Sequence, residues 1–337
     1  MDDSESAMKR VTGADVARAA GVSKWTVNRA FTPGASIKPE SRERVLAAAA
    51  ELGYRPNLLA RSLATNRTMQ VAVLVDDFKN PAKLPFLERL SERLQGEGMV
   101  MVLININKRH DHIDAIMDID QRQVDAAILF GTDFKDLQLQ NGERLKSQMP
   151  LYVLARHSNV VSIPSVSCDS EVAMSEICDY LWQKGYRRPG FMTGPKTLST
   201  ALGRRCNFIK CWADRGIENV PVLSAGSYES TAAATVLRTY LSTVGPEERV
   251  DVLMCENDAL AMGALGIARD ELGLSVPGEF AIVGFDDIEL VSNPCFDITS
   301  YRQPIDEMVE AVIGMISGSM PQGSIALRGE LKIRNST

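Results

Sequence analysis

Hydrophobic and polar positions alternate with two different periods along the chain, and the change falls near residue 69. From Val71 onward, continuous apolar runs recur: VAVLV at 71–75, VMVLINI at 100–106, AAILF at 126–130, LYVLA at 151–155 and SVSC at 165–168. PGFMTG at 189–194, VDVLMCEN at 250–257 and FAIVGFDD at 280–287 continue the series, with helical periodicity in between, as from Lys83 to Glu97. Short runs without alternation suit strands covered on both faces, and strand, helix, strand repeats wind such strands into parallel sheets. Ligands of such sheets lie at the carboxyl ends of the strands, so the loop residues directly after these runs are the candidate binding groups.

Before residue 69 the period is helical throughout. Thr12 can cap a helix through Ala19 with Asp15 as its acidic capping-box partner, Gly21 breaks it, and Ser23 caps a second helix from Lys24 to Phe31. A third helix starts at Pro39 and runs through Val45, Leu46, Ala49 and Leu52 to Gly53, a residue suited to a left-handed helix end. Two short helices around a tight Gly-Val-Ser turn form a helix-turn-helix, with Val22, Val27 and Ala30 facing inward. The second helix then presents Lys24, Trp25 and Asn28 to base edges in a major groove, Asn to adenine and Lys to guanine, with Trp25 against a thymine methyl or the sugar backbone. Arg29 is available for backbone or structural pairing, and Thr12, Ser23 and Thr26 join the same DNA-binding set. The competing reading packs Trp25 inside the headpiece.

Charge sharpens this picture. The formal net charge of the 337 residues is −6, yet residues 8–67 carry +7 and the chain from residue 68 onward −10, so the head alone is suited to phosphates. The length and the 45% hydrophobic content supply more than one core. No apolar run is long enough to span a bilayer, and the start MDDSESAMKR lacks the apolar stretch of a secretory signal, which points to the cytoplasm and away from a membrane. Cys168, Cys178, Cys206, Cys211, Cys255 and Cys295 form no CxxC pair and read as buried free thiols, and His110, His112 and His157 have no zinc-like spacing, so no metal is expected. The chain lacks GxxxxGK[ST], a GxGxxG opening a helix after the first strand, and GxSxG; neither a cofactor nor catalysis is expected.

VTGADVARAAGVSKWTVNRAF and SRERVLAAAAELGYRPNLLARSLAT resemble the headpiece of the lac repressor family. VAVLVDDFKNP, KGYRRPGFMTGP, DVLMCENDALAMGAL and FAIVGFDDIELVSNPCFDITSYRQP resemble, in the family's order, its two-lobed periplasmic-binding-protein-like sensor. The resemblance implies a headpiece at 8–55, a hinge helix and linker at 56–68, and an effector-binding and dimerisation domain at 69–337. Its lobes would take residues about 69–168 with 300–325, and about 169–299 with 326–337. In the family the segment matching Pro56 to Ala64 becomes helical on DNA. Leu63 would wedge into the minor groove, with Asn57 as cap and Ala60 allowing close approach of the partner chain.

Arg204, Asn257 and Asp286 fall at the family's polar effector contacts, and Tyr228 where a ring can form a stacking wall. The alternatives are a surface salt bridge for Arg204, helix capping for Asp286 and turn closure for Asn257. Where relatives carry an aromatic pair after Asn-Pro, this chain reads Asn80-Pro81-Ala82-Lys83. If Lys83 faces the cleft it favours a carboxylate- or phosphate-bearing effector such as a sugar acid; if it faces solvent, that inference is lost. Asp76 and Asp77, at the end of the first strand, read as pocket or capping groups.

The expected partners are therefore double-stranded, pseudo-palindromic operator DNA, a small-molecule effector, sugar or sugar acid, and a second copy of the chain. With no heptad extension before Thr337, a homodimer rather than a tetramer is expected. The function so implied is a repressor; an effector-activated or corepressor-dependent regulator of a non-sugar metabolite is the alternative. A transport-linked solute-binding protein would lack the basic head, and a sugar-processing enzyme would need a catalytic constellation that the sequence does not show.

Overall fold

The computed structural model describes residues 11–32, 34–55, 62, 67–106, 112–131, 149–158, 160, 162–195 and 202–337. The chain divides into two units, Met1–Thr68 and Met69–Thr337.

In the first unit, α1 (Gly13–Ala20), α2 (Lys24–Ala30) and α3 (Pro39–Glu51) surround a small core. The Asp15 carboxylate accepts from the backbone N–H and the hydroxyl of Thr12, at 3.0 and 2.7 Å, so the acid closes the first helix start. Gly21, at φ 63°, stops α1, and Ser23 Oγ accepts from Thr26 N at 3.1 Å to start α2. Val16, Val27 and Val45 are fully buried, one from each helix, with Ala17, Ala20, Ala30, Ala48 and Ala49 around them. Leu46 and Leu52 do not join that core but are exposed. The hinge residues Asn57, Ala60 and Leu63 lie outside the described residues, as does His110.

The second unit holds two six-stranded sheets. The first comprises β1 (Gln70–Val75), β2 (Val100–Asn105), β3 (Ala126–Phe130), β4 (Leu151–Leu154), β5 (Ser165–Cys168) and β11 (Ser324–Leu327), in the order β11-β5-β4-β3-β1-β2, all parallel. The second comprises β6 (Pro189–Thr193), β7 (Val222–Ser224), β8 (Val252–Cys255), β9 (Ala281–Asp286), β10 (Thr299–Arg302) and β12 (Glu330–Lys332), in the order β12-β10-β9-β8-β6-β7, with only β12 antiparallel. Helix α4 (Lys83–Gly96) and α10 (Ile305–Ser317) cover one face of the first sheet, and α5 (His112–Gln121) contributes Ile116 and Ile119 to the other. The second sheet is flanked by α6 (Ser170–Gln183) and α7 (Arg204–Ala213) on one side, and by α8 (Ser230–Thr243) and α9 (Asp258–Leu265) on the other.

The inner strands are buried along their whole length because helices lie on both faces, which is why their sequences are unbroken apolar runs. The chain passes between the sheets after β5, after β10 and after β11. Thr299–Arg302 pairs with β9 and β12, so the return to the first lobe follows Arg302 rather than residue 300. Ser324–Leu327 pairs with β5, which moves the last crossing beyond Leu327. All six cysteines are free, but only Cys178 and Cys255 are buried; Cys206 and Cys295 are exposed, so the expectation of uniformly buried thiols fails for those two.

Leu253 lies at the centre of the second sheet with no exposed surface. Leu253→Ala should cost about 2–5 kcal/mol, read as a lower denaturation temperature of the second unit; a variant as stable as the parent would contradict this packing.

Candidate functional site

The outer face of α2 is the candidate DNA-reading surface. Trp25 is 65% exposed, so it is not part of the headpiece core, and Lys24 and Asn28 are exposed beside it. Arg29, one turn further on, places its guanidinium 4.3 Å from the centre of the Trp25 ring. That cation–π contact holds the indole against the helix. The Ser23 and Thr26 hydroxyls lie 2.9 Å apart, engaged with each other at the helix start.

In the second unit, the carboxyl ends of the two sheets face a common cleft. Lys83, Arg204, Tyr228, Asn257 and Asp286 all line it. Each follows from a strand or helix end. Arg204 is the first residue of α7, Asn257 follows β8, Asp286 ends β9, and Lys83 is the first residue of α4. Phe86, Phe130 and Leu154 supply an apolar wall, and Asp76, Asp77 and Gln303 further polar groups.

Arg204 is only 6% exposed, which removes the surface salt bridge as an account of it. Its guanidinium lies 3.6 Å from the Phe285 ring centre, Nη1 donates to the carbonyl of Glu256 at 2.6 Å, and Nη2 stands 3.5 Å from Asp286 Oδ1. Asp286 Oδ1 also accepts from Gln303 Nε2 at 2.7 Å. The Asp286 backbone has φ 108°, a conformation costly for a residue with a Cβ, and its side chain serves the cleft rather than a helix cap. Its neighbour Asp287 is turned away to Arg302 and Arg334. Burial pushes the Asp286 carboxyl up to about 6, against the opposing pull of Arg204. Burial likewise raises Asp258, beneath it, well above the ordinary carboxylate range.

Asn257 both caps and faces the cleft. Its Oδ1 accepts from Leu260 N at 3.0 Å, starting α9, and this fixes Nδ2 as the free end. That Nδ2 is buried without a hydrogen-bond partner among the described residues. Gln303 is its counterpart: Nε2 is committed to Asp286, and Oε1 is buried without a partner among the described residues. The Tyr228 hydroxyl donates to Glu256 Oε2 at 3.1 Å, and burial together with that carboxylate raises its pKa well above the usual value. Gly194 makes room for this ring, since a Cβ there would sit 2.3 Å from it.

Lys83 faces the cleft wall at 8% exposure, but its charge is taken up locally. Nζ pairs with Asp76 at 3.1 Å, donates to the Phe130 carbonyl at 2.8 Å and lies 4.3 Å from the Phe130 ring centre. The condition for an acidic effector is met in position and unmet in available charge. Gly131 makes the arrangement possible, because a Cβ there would lie 2.2 Å from the Asp76 carboxylate. Gln303 and Glu256 were not singled out from sequence; both sit directly after strand ends, Gln303 after β10, a strand too polar to stand out as an apolar run. Among the described residues no group of His, Cys, Asp and Glu could hold a metal ion, and no helix is long and apolar enough to cross a membrane.

A helix-turn-helix headpiece followed by a two-lobed domain with a polar cleft defines a ligand-sensing DNA-binding regulator. Residues 13–57 match the family described as bacterial regulatory proteins, lacI family, and residues 178–337 match the periplasmic binding protein-like domain. The HTH-type transcriptional repressor CytR of Escherichia coli strain K12 is 27% identical over 331 residues, 96% of this chain and 95% of that protein. The HTH-type transcriptional repressor PurR of Proteus mirabilis strain HI4320 is 27% identical over 307 residues, 90% of this chain and 88% of that protein. The lac repressor dimer bound to operator and the anti-inducer ONPF shares the fold with a TM-score of 0.83 at 22% identity, covering 97% of this chain and 99% of that one. The transcriptional regulator CelR in complex with cellobiose gives 0.68 at 24% identity, over 97% of this chain and 100% of that one. The chain thus joins a lacI-family regulatory domain to a periplasmic binding protein-like domain, the organisation of a DNA-binding transcriptional regulator.

Because the Asp286 carboxyl titrates higher in the folded protein than in the unfolded chain, its contribution to stability is full below the ordinary value of 3.8 and is lost as pH rises through about 6. Asp286→Asn keeps an oxygen for Gln303 and escapes this loss. The difference in denaturation temperature between variant and parent should therefore shift in the variant's favour from pH 4 to pH 7; a difference independent of pH would contradict the assignment.

Proposed function

We propose that this regulator is a repressor that binds a pseudo-palindromic operator as a homodimer, and that a small polar effector, a sugar or sugar derivative, binds between the lobes of its second unit. The observation that carries the effector site is the pair of buried amide atoms, Asn257 Nδ2 and Gln303 Oε1, that have no hydrogen-bond partner among the described residues and lie in one cleft with Arg204 and Asp286. Buried polar atoms of native proteins are almost always hydrogen-bonded, so a donor and an acceptor left open on one cavity are a binding face for a polar molecule. The rings of Tyr228, Phe86 and Phe130 give such a molecule an apolar wall, as a sugar ring requires.

The repressor reading is supported by the names of the relatives CytR and PurR, and the sugar class by the CelR neighbour solved with cellobiose. On the DNA side, Lys24, Trp25 and Asn28 would read base edges, while Thr12, Ser23, Thr26 and Arg29 would position α2, and Asn57, Ala60 and Leu63 would act at the hinge. The effector would bind one arrangement of the lobes better than another and thereby change how two headpieces are held on the operator.

Lys24→Ala should weaken operator binding by about 1–3 kcal/mol and relax base preference at one position in each half-site, measured by fluorescence anisotropy on operator variants. Uniform weakening across all sequences would assign Lys24 to phosphate instead. Arg204→Ala should remove the response of operator binding to effector; a full response in that variant would contradict the cleft as the effector site.

A further inference from the structure

The effector cleft is not electrically balanced, and the imbalance bears on what it accepts. Both lining cations are already satisfied. Lys83 is held by Asp76 and the Phe130 carbonyl, and Arg204 by the Glu256 carbonyl with Asp286 alongside. Asp77 has no such compensation: it lines the cleft beside Asp76 and makes no ion pair among the described residues. Two described cations act on it, Lys83 and Lys79, but Lys83 is committed to Asp76 and Lys79 to Glu229, and burial raises the Asp77 pKa above the ordinary value despite Lys83. Buried Arg156 lies behind Gly131, with Nε donating 2.7 Å to the Gly131 carbonyl and Nη1 3.1 Å to the His157 carbonyl.

The open hydrogen-bonding capacity of the cleft points the same way. Gln303 Oε1 is a buried acceptor without a donor among the described residues, and the Tyr228 oxygen, having donated to Glu256, retains its lone pairs. The open donor among the described residues, Asn257 Nδ2, belongs to the second lobe. Asp76 and Asp77 outnumber Lys83 on the first-lobe side of the lining, while the second-lobe side offers the Asn257 donor and the Tyr228 acceptor.

Resting on the effector-cleft reading, we infer that the effector carries a protonated amine, received by Asp77 beside Asp76, together with a hydroxyl or carbonyl oxygen received by Asn257 Nδ2. An ammonium supplies the missing positive charge at Asp77 and donates several hydrogen bonds to an acceptor-rich wall. A carboxylate or phosphate on that side would meet two aspartates and no uncommitted described cation, so the replacement of an aromatic residue by Lys83 does not make the site anionic-selective. The Asp76–Lys83 pair instead fixes the position of the acidic wall.

The test uses the full-length protein and three related sets, each with a neutral, an amine and a carboxylate member: glucose, glucosamine and glucuronate; galactose, galactosamine and galacturonate; sorbitol, 1-amino-1-deoxysorbitol and gluconate. Binding is measured by calorimetry and thermal melting at pH 7.5. The amine of at least one set should bind roughly tenfold or more tightly than its neutral partner, and Asp77→Asn, which keeps an oxygen for the turn at Lys79 and Asn80, should reduce that advantage to near parity. Without ligand, Asp77→Asn should melt higher than the parent, because it removes an uncompensated charge; a lower melting temperature would make Asp77 a structural group and overturn the inference. Equal or tighter binding of a neutral or carboxylate member also overturns it while leaving the cleft reading intact, provided Arg204→Ala abolishes that binding. If the binding survives Arg204→Ala, the cleft reading fails with it. No binding by any of the compounds overturns the inference as well.

Discussion

A guanidinium taken out of water is costly unless oxygens and an aromatic face replace its hydration, and Arg204 shows how the second unit is arranged to do so. The Phe285 ring comes from β9, the Glu256 carbonyl from the end of β8, and Asp286 from the residue at which β9 stops. Adjacent parallel strands place these groups side by side at one sheet edge, and Gly203, at φ 70°, turns the chain so that α7 begins with Arg204 at that edge. Asp286 in turn holds Gln303, from the segment that leads back to the first lobe. One buried charge therefore ties together two strand ends and a lobe crossing, and a ligand that engages it touches the parts whose relative placement sets the arrangement of the lobes.

The opposite wall follows the same constraint with different residues. Lys83 is buried where an aromatic side chain would need no partner, and its charge is met by Asp76, by a strand-end carbonyl and by the Phe130 ring. Gly131 gives Asp76 the room this needs. Among the described residues the cleft is thereby a set of internally satisfied ion pairs with a few gaps, at Asn257 Nδ2, Gln303 Oε1 and Asp77. Selectivity in such a site comes from the gaps, because the satisfied groups have little left to offer a ligand.

The inner strands were legible in the sequence because parallel strands covered on both faces are written as unbroken apolar runs; AAILF and FAIVGFDD need no context to be read. Three short strands at or next to a sheet edge were not. Val222–Ser224 is short and half exposed, Thr299–Arg302 carries polar side chains that bond to the chain's final residues, and Ser324–Leu327 alternates with solvent. Missing β10 also hid Gln303, which follows it. The five cleft residues were reached through resemblance, since neither an arginine nor an asparagine announces its burial. The side on which Lys83 lies depends on Asp76 and Phe130, whose strands are far apart in sequence and paired only in the sheet. On the headpiece, the outward face of α2 was legible because Val27 and Ala30 account for its inward face, which left Trp25 to the solvent.

The most direct measurement is anisotropy of the full-length protein on the DNA upstream of its own coding region, at fixed salt, against a scrambled duplex of equal length, with and without a panel of sugars, sugar acids and amino sugars. Tight binding to the specific duplex that one compound alters, and weak salt-sensitive binding to the scrambled one, is the expected result. Equal affinity for both duplexes, unmoved by any compound that binds the protein, would contradict a sensor coupled to sequence-specific DNA recognition.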